Sequence, residues 1–450
     1  MNKKMCSFVL SLVTGAFVVI GVAASLGNDA FSLASGAQQQ VVWQHYNKVE
    51  PTDVTWGIKE YWVNCSSYEH VFTKPVTGSI TNKGTPSQSF INSLPEDDDR
   101  LLIASMDVLK FKQITSWTDS FYNYYRVYVE SEDDGGDLVI PYSYLGVEVV
   151  RAASEAFSNC AGITSIYFPD NFRELGSNAM KNCTGLTEVH IPSGLSKIES
   201  TSFNYCTSLT TVYWDAIDCS TSGSTSPFKG CSSLETIVIG SGVTTIGDYL
   251  FCDLSSVTSF EINTNVLEKI NYYAFKGCSG ITSLNLPDSV NFFGSYAFYN
   301  CTSLESMIIP QSITYINYYC FQGCSSLSYV KLHNGITEIY KEAFRSCTSL
   351  TSISIPSSVT SLGNSAFTYC YGLQNVYLQE GLESIGGSCF QSNESLTSIV
   401  IPLSVTSIGD YAFRGCGQPF TAYCRAPEKP SGWGSSWKYN VTEVVWNYPG

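Results

Sequence analysis

A phenylalanine followed three residues later by a cysteine recurs through most of this chain, and its spacing leaves few folds open. The pair occurs at Phe157/Cys160, Phe203/Cys206, Phe228/Cys231, Phe275/Cys278, Phe298/Cys301, Phe321/Cys324, Phe344/Cys347, Phe367/Cys370 and Phe413/Cys416. Met180/Cys183 carries Met in place of Phe. The Phe251 and Phe390 units carry Leu254 and Asn393 in place of Cys. Successive units start 23 residues apart, except for one interval of 25 and one of 24. A fixed period of this length marks a stacked repeat architecture. One unit cannot bury its own apolar side, so neighbours supply the cover.

With Phe as position 1, the consensus is F-x-x-C-T-S-L-T-S-I-x-I-P-x-S-V-T-x-I-G. Apolar residues fall at positions 1, 4, 7, 10, 12, 16, 19 and 23. The alternation at 10 and 12, as in Ile353-Ser354-Ile355, predicts a short strand with position 11 facing out. Proline at 13 ends that strand because it cannot donate to a ladder. Glycine at 20 and small polar residues mark turns. No unit holds ten residues of helical periodicity. The expected fold class is a β-rich solenoid of about twelve 23-residue units with short parallel strands, spanning residues 134–417.

The unit resembles the BspA-like leucine-rich repeats of secreted and surface proteins. Leu138-Val139-Ile140-Pro141 and Gly146 to Val150 are similar to that family's opening half-unit. Pro430 to Trp433 with Val444-Val445-Trp446 resemble its closing segment, which makes residues 418–450 a C-terminal cap. The resemblance implies an adhesin or another ligand-binding surface protein, although a fold does not name its ligand.

The flanks differ in character. Asn2-Lys3-Lys4 followed by the uncharged, apolar run Cys6 to Leu26 reads as a secretory signal or an uncleaved anchor within residues 1–37. The expected location is therefore secreted or cell surface, with membrane contact only through that segment. Residues 38–133 lack the repeat and read as a small β-rich domain, with strands expected over 57–63 and 124–129. Residues 100–113 fit either a strand pair or a short helix.

Composition limits the partners. Lys and Arg number 24 against 39 Asp and Glu, a net charge of −15. No cationic footprint for nucleic acid is concentrated anywhere. Walker, dinucleotide, zincin and nucleophile-elbow motifs are missing, so neither a catalytic residue nor a cofactor is expected. Cys65, Glu69 and His70 are potential metal ligands, but without a second cluster they read as an ordinary surface loop, and no metal site is expected. Seventeen cysteines in an exported chain usually mean disulfides. Ten of these, however, share one repeat position, where parallel stacking opposes the torsion a disulfide prefers. They read as a buried column of free thiols, with a Cys416–Cys424 pair left open.

Two aromatic rows are the candidate ligand-binding residues. Tyr167, His190 and Tyr213 occupy position 11 on successive units. Tyr249, Tyr273, Tyr296 and Tyr319 occupy position 22 on four consecutive units. Each row fits either a stiffening aromatic ladder or an exposed recognition stripe. The expected function is non-catalytic binding of an extracellular protein or glycan. The alternatives are a structural surface-layer component, or a secreted enzyme with its site in residues 38–133.

Overall fold

The computed structural model describes residues 137–142 and 148–449 in full; elsewhere it gives only backbone strand segments. The chain divides into two compact units, Met1–Ala216 with Gly230–Ser233, and Ile217–Lys229 with Leu234–Gly450. The repeats of each unit form a parallel β-solenoid that turns once per repeat, and no helix occurs among the described residues.

In the first unit, Gly136–Val139, Ile163–Tyr167, Glu188–Ile191 and Thr211–Trp214 form one parallel sheet. Its register follows the repeat, with Tyr167 opposite His190 and His190 opposite Tyr213. The second unit repeats the pattern, for example with Ser352–Ile355 beside Asn375–Leu378. These are the strands expected at positions 10–12, extended by one residue to position 9.

Positions 18 and 19 add a second strand that the sequence does not announce. Tyr315–Ile316, Glu338–Ile339, Ser361–Leu362, Ser384–Ile385 and Ser407–Ile408 pair in parallel, in order. Two residues are too few to show alternation. Only the stacking of one turn on the next reveals them as strand. Upstream, strand segments Ile58–Trp62 and Asn123–Val129 fall where β structure is expected. Leu109–Thr115 pairs antiparallel with Asn123–Val129, which favours strand over helix for the end of 100–113. Most of residues 1–37 and the side chains of Cys65, Glu69 and His70 lie outside the described residues. No described helix is long and apolar enough to cross a membrane.

The repeat phenylalanines build the core. In the second unit, Phe275, Phe298, Phe321, Phe344, Phe367, Phe390 and Phe413 stack face to face at 5.1–5.9 Å, with interplanar angles of 1–7°. Trp437 meets Phe413 edge-on at 6.3 Å and packs with Trp433 and Trp446, so the aromatic column closes on a tryptophan cluster.

The cysteines have a second task beyond filling space. Cys278, Cys301, Cys324, Cys347 and Cys370 each donate Sγ–H to the carbonyl of the repeat phenylalanine one turn earlier, at 2.9–3.2 Å. In the first unit Cys183 and Cys231 donate likewise to Phe157 and Phe203, and Cys206 donates to the carbonyl of Met180, which stands in the phenylalanine's place. A buried carbonyl without a donor costs free energy, and a small apolar side chain with one weak donor suits the position. Where Asn393 stands instead, its Oδ1 accepts from the Cys370 amide at 2.9 Å, and its Nδ2 has no partner.

All fifteen described cysteines are free and buried, Cys416 and Cys424 included. Burial pushes the Cys370, Cys416 and Cys424 thiols up to about 12. Thiols react as thiolates, so these are expected to stay unlabelled by a disulfide reagent at pH 8 in native buffer and to react on unfolding. A denatured, unreduced sample that withheld several thiols would reveal disulfides and contradict the column.

Candidate functional site

The position 11 row is a continuous aromatic stack in the first unit. The rings of Tyr167 and His190 lie 5.7 Å apart, and those of His190 and Tyr213 lie 4.2 Å apart at 10°. The parallel register places them there, because it sets equivalent residues side by side. Tyr167 departs from the outward-facing expectation: it is only 7% exposed. Its ring is shielded by His190 and its neighbour Ser165 is tied to Asp137. His190 and Tyr213 remain half-buried.

Burial between two rings lowers the pKa of His190, against the opposing pull of Glu188 and Asp215. Glu188 lies 3.7 Å from its Nε2. The native state therefore favours neutral imidazole relative to the unfolded chain. The stability this contributes is complete above the unfolded value near 6.5 and disappears as pH falls through the lower folded value. A pH titration of thermal stability should show the parent losing more between pH 7.5 and 5 than His190→Gln does. Parallel curves would remove this role.

The position 22 column belongs to the second unit and is more regular. Tyr249, Tyr273, Tyr296 and Tyr319 stack at 4.6, 4.6 and 4.4 Å, with interplanar angles of 7°, 9° and 8°. All four occupy the left-handed backbone region, with φ of 55–62°. That conformation costs a non-glycine residue about 1–2 kcal/mol. It persists because each amide donates to a carbonyl of the following turn, as Tyr296 does to Tyr318 at 3.1 Å. Glu342, Ser365 and Ser388 hold equivalent positions at the same φ. The backbone alone thus does not select tyrosine.

Charge gathers at the column's end. The Lys341 ammonium lies 5.6 Å from the centre of the Tyr319 ring. Glu342 contacts Lys341 at 3.4 Å and Arg345 at 2.7 Å, and Arg345 lies over Tyr369 at 5.2 Å. Burial, aided by the neighbouring Tyr319 hydroxyl, pushes Tyr296 up to about 12, so it stays a protonated donor. Beside the column, Tyr318 stacks on Tyr340 at 4.8 Å. No group of three or more potential metal ligands occurs among the described residues.

With this geometry in place, comparison with known proteins identifies the repeat. The family model for the BspA type leucine rich repeat region matches in 6 copies, over residues 145–216, 221–328 and 293–418. These segments cover more than half of the chain.

The chain belongs to the BspA-type leucine-rich repeat family.

Among solved structures of leucine-rich repeat proteins, a cell surface protein from Faecalibacterium prausnitzii is 22% identical. The match covers 75% of this chain and 93% of that one, with a TM-score of 0.41. A leucine-rich repeat protein from Bacteroides ovatus is 24% identical over 76% of this chain and 98% of its own, with a TM-score of 0.36. The pneumococcal vaccine antigen PcpA is 16% identical over 75% and 97%, with a TM-score of 0.38. Among curated proteins no relative matches.

Two features of this BspA-type array escaped sequence reasoning. Position 3 is left-handed in every unit, from Asn159 and Asn182 through Gly230 and Asp253 to Ser392 and Gly415. Its enrichment in Gly, Asn and Asp was the available signal. It also accounts for the Asn-Cys-Thr sequences at Asn182 and Asn300, whose asparagines are turn residues, whereas Asn393 of Asn-Glu-Ser is wholly buried. The Tyr315–Tyr318–Tyr340 cluster was invisible because Tyr340 stands at the usual glycine position, out of line with the other two.

Proposed function

We propose that this protein is a non-catalytic binding protein, adhesin-like, acting at the cell surface or outside the cell on an extracellular protein or glycan. The observation that carries this reading is the four-turn tyrosine column at position 22. It is half-buried along its length, is not demanded by the backbone, and is flanked by exposed Tyr272 and Tyr318. Aromatic side chains lose little entropy on contact and are enriched where binding energy concentrates. Membership of a family whose members are typically surface proteins supports the location, and an apolar leader at the N-terminus fits export. The His190 stack is the weaker candidate, since Tyr167 has almost no free surface.

The test is an array of matrix proteins, mucins and glycans probed with the purified protein. It is run beside Tyr273→Ser/Tyr296→Ser and His190→Ser/Tyr213→Ser variants shown by circular dichroism to be folded. Binding by the parent that the first variant loses at least tenfold is the expected result. Loss confined to the second variant would move the site to the position 11 row. Silence of the parent on every surface would overturn the binding reading.

A further inference from the structure

We infer that the Tyr249–Tyr319 column is a site of oxidative modification. A one-electron oxidant of the peroxidase class couples neighbouring column tyrosines into dityrosine and so ties successive turns together covalently. This inference is independent of the binding reading above and of any ligand.

The column holds its reactants already paired. Tyr249, Tyr273, Tyr296 and Tyr319 lie 4.4–4.6 Å apart, ring centre to ring centre, at 7–9°. Each backbone amide donates to a carbonyl of the following turn at 3.0–3.2 Å, so neighbours do not drift apart. Two tyrosyl radicals on separate molecules must meet by diffusion. Holding the reacting groups side by side replaces that encounter with a step inside one molecule. The rings are half-buried rather than sealed in. Rotation about χ1 and χ2 then lets two of them close from stacking to bonding distance.

The reaction balances with hydrogen peroxide as the terminal oxidant. Each of two adjacent phenols gives up one electron and its hydroxyl proton. The two phenoxyl radicals form one carbon–carbon bond between ring carbons ortho to the oxygens. Each of those carbons passes its hydrogen, as a proton, to its own oxygen, and both phenols are restored. The two electrons and two protons that leave reduce one peroxide to two waters.

Side chains that compete for the oxidant are buried. The repeat-position thiols donate to phenylalanine carbonyls inside the core, and Met180 and Met307 are at most 1% exposed. Nor do cysteines already join the turns, since all fifteen that are described are free. A Tyr273–Tyr296 bond joins equivalent positions of successive repeats, the link those thiols do not make. Tyr329 and Tyr377, at 53% and 59% exposed, are open to rings of a second molecule instead, and their product is a dimer.

The test oxidises the dilute, purified protein with hydrogen peroxide and a haem peroxidase, and separately with photogenerated tris(bipyridine)ruthenium(III). Gel-purified monomer is digested with trypsin and read by tandem mass spectrometry. Lys269 and Lys276 flank Tyr273, so Tyr249, Tyr273 and Tyr296 fall in three different peptides. Linked peptides lighter by two hydrogens, joined at Tyr249–Tyr273 and Tyr273–Tyr296, are the expected product. Their yield should be at least fivefold that of the same chain oxidised in urea. Tyr273→Phe keeps the ring and should remove both links, Tyr296→Phe only the second and Tyr272→Phe neither, all with the parent's circular dichroism spectrum. Dityrosine confined to dimers, links at these peptides that survive Tyr273→Phe, or a folded yield no higher than the unfolded one overturns the assignment.

Discussion

Replacing Phe321 with alanine is expected to lower stability by about 3–5 kcal/mol, among the largest effects any single side chain can have in this protein. The ring has no solvent exposure. It is stacked between Phe298 at 5.1 Å and Phe344 at 5.3 Å, and Phe293 meets it edge-on at 6.2 Å. Truncation removes the transfer energy of the ring and three aromatic contacts, and it leaves a cavity that the neighbouring turns cannot fill without breaking their own register. In a stacked array the damage is local, so unfolding should begin at these turns and lose its single transition. Urea denaturation followed by circular dichroism, with hydrogen exchange to place the first opening, reads both effects. Tyr377→Ala, at a ring 59% exposed, is the comparison and should change stability by less than about 0.5 kcal/mol. A Phe321→Ala protein within 1 kcal/mol of the parent would mean that the column is not where the stability resides.

The second large effect involves no side-chain contact in the parent. Gly381 has φ of +113°, and a Cβ built there would lie 2.1 Å from the Ser357 carbonyl oxygen. That oxygen belongs to the backbone of the preceding turn and cannot rotate away. Gly381→Ala should therefore cost about 3 kcal/mol or more, combining a backbone conformation open essentially only to glycine with a turn-to-turn clash. Gly242→Ala is the matched control. Its nearest atom is Ile217 Cγ1 at 4.0 Å and its φ is not positive. There the change should stay near zero, or stabilise slightly by restricting the unfolded chain. Thermal melts of both variants decide the point. Similar melting temperatures for the two would show that the turns slide apart more readily than their stacking indicates.

The sequence alone determined the solenoid. A 23-residue period with apolar residues at fixed positions permits only stacking, because no single unit carries enough apolar surface to fold by itself. It also determined that the Cys160 to Cys416 column faces inward, since Leu254 and Asn393 replace cysteine there without breaking the phase. Tertiary structure decided whatever depends on the turn beneath. The thiol hydrogen bonds to the phenylalanine carbonyls exist only when one turn lies on another. The two-residue strands at positions 18 and 19 exist for the same reason. Alternation along the chain placed Tyr167 on the outer face, but stacking withdrew it from solvent. At position 22 the sequence showed four tyrosines in phase, and the stacking of left-handed turns set their rings face to face at 4.4–4.6 Å. Periodicity reports which side chains share a face. How much of each ring solvent can reach depends on the distance between turns, and that distance is set by the packing of the whole array.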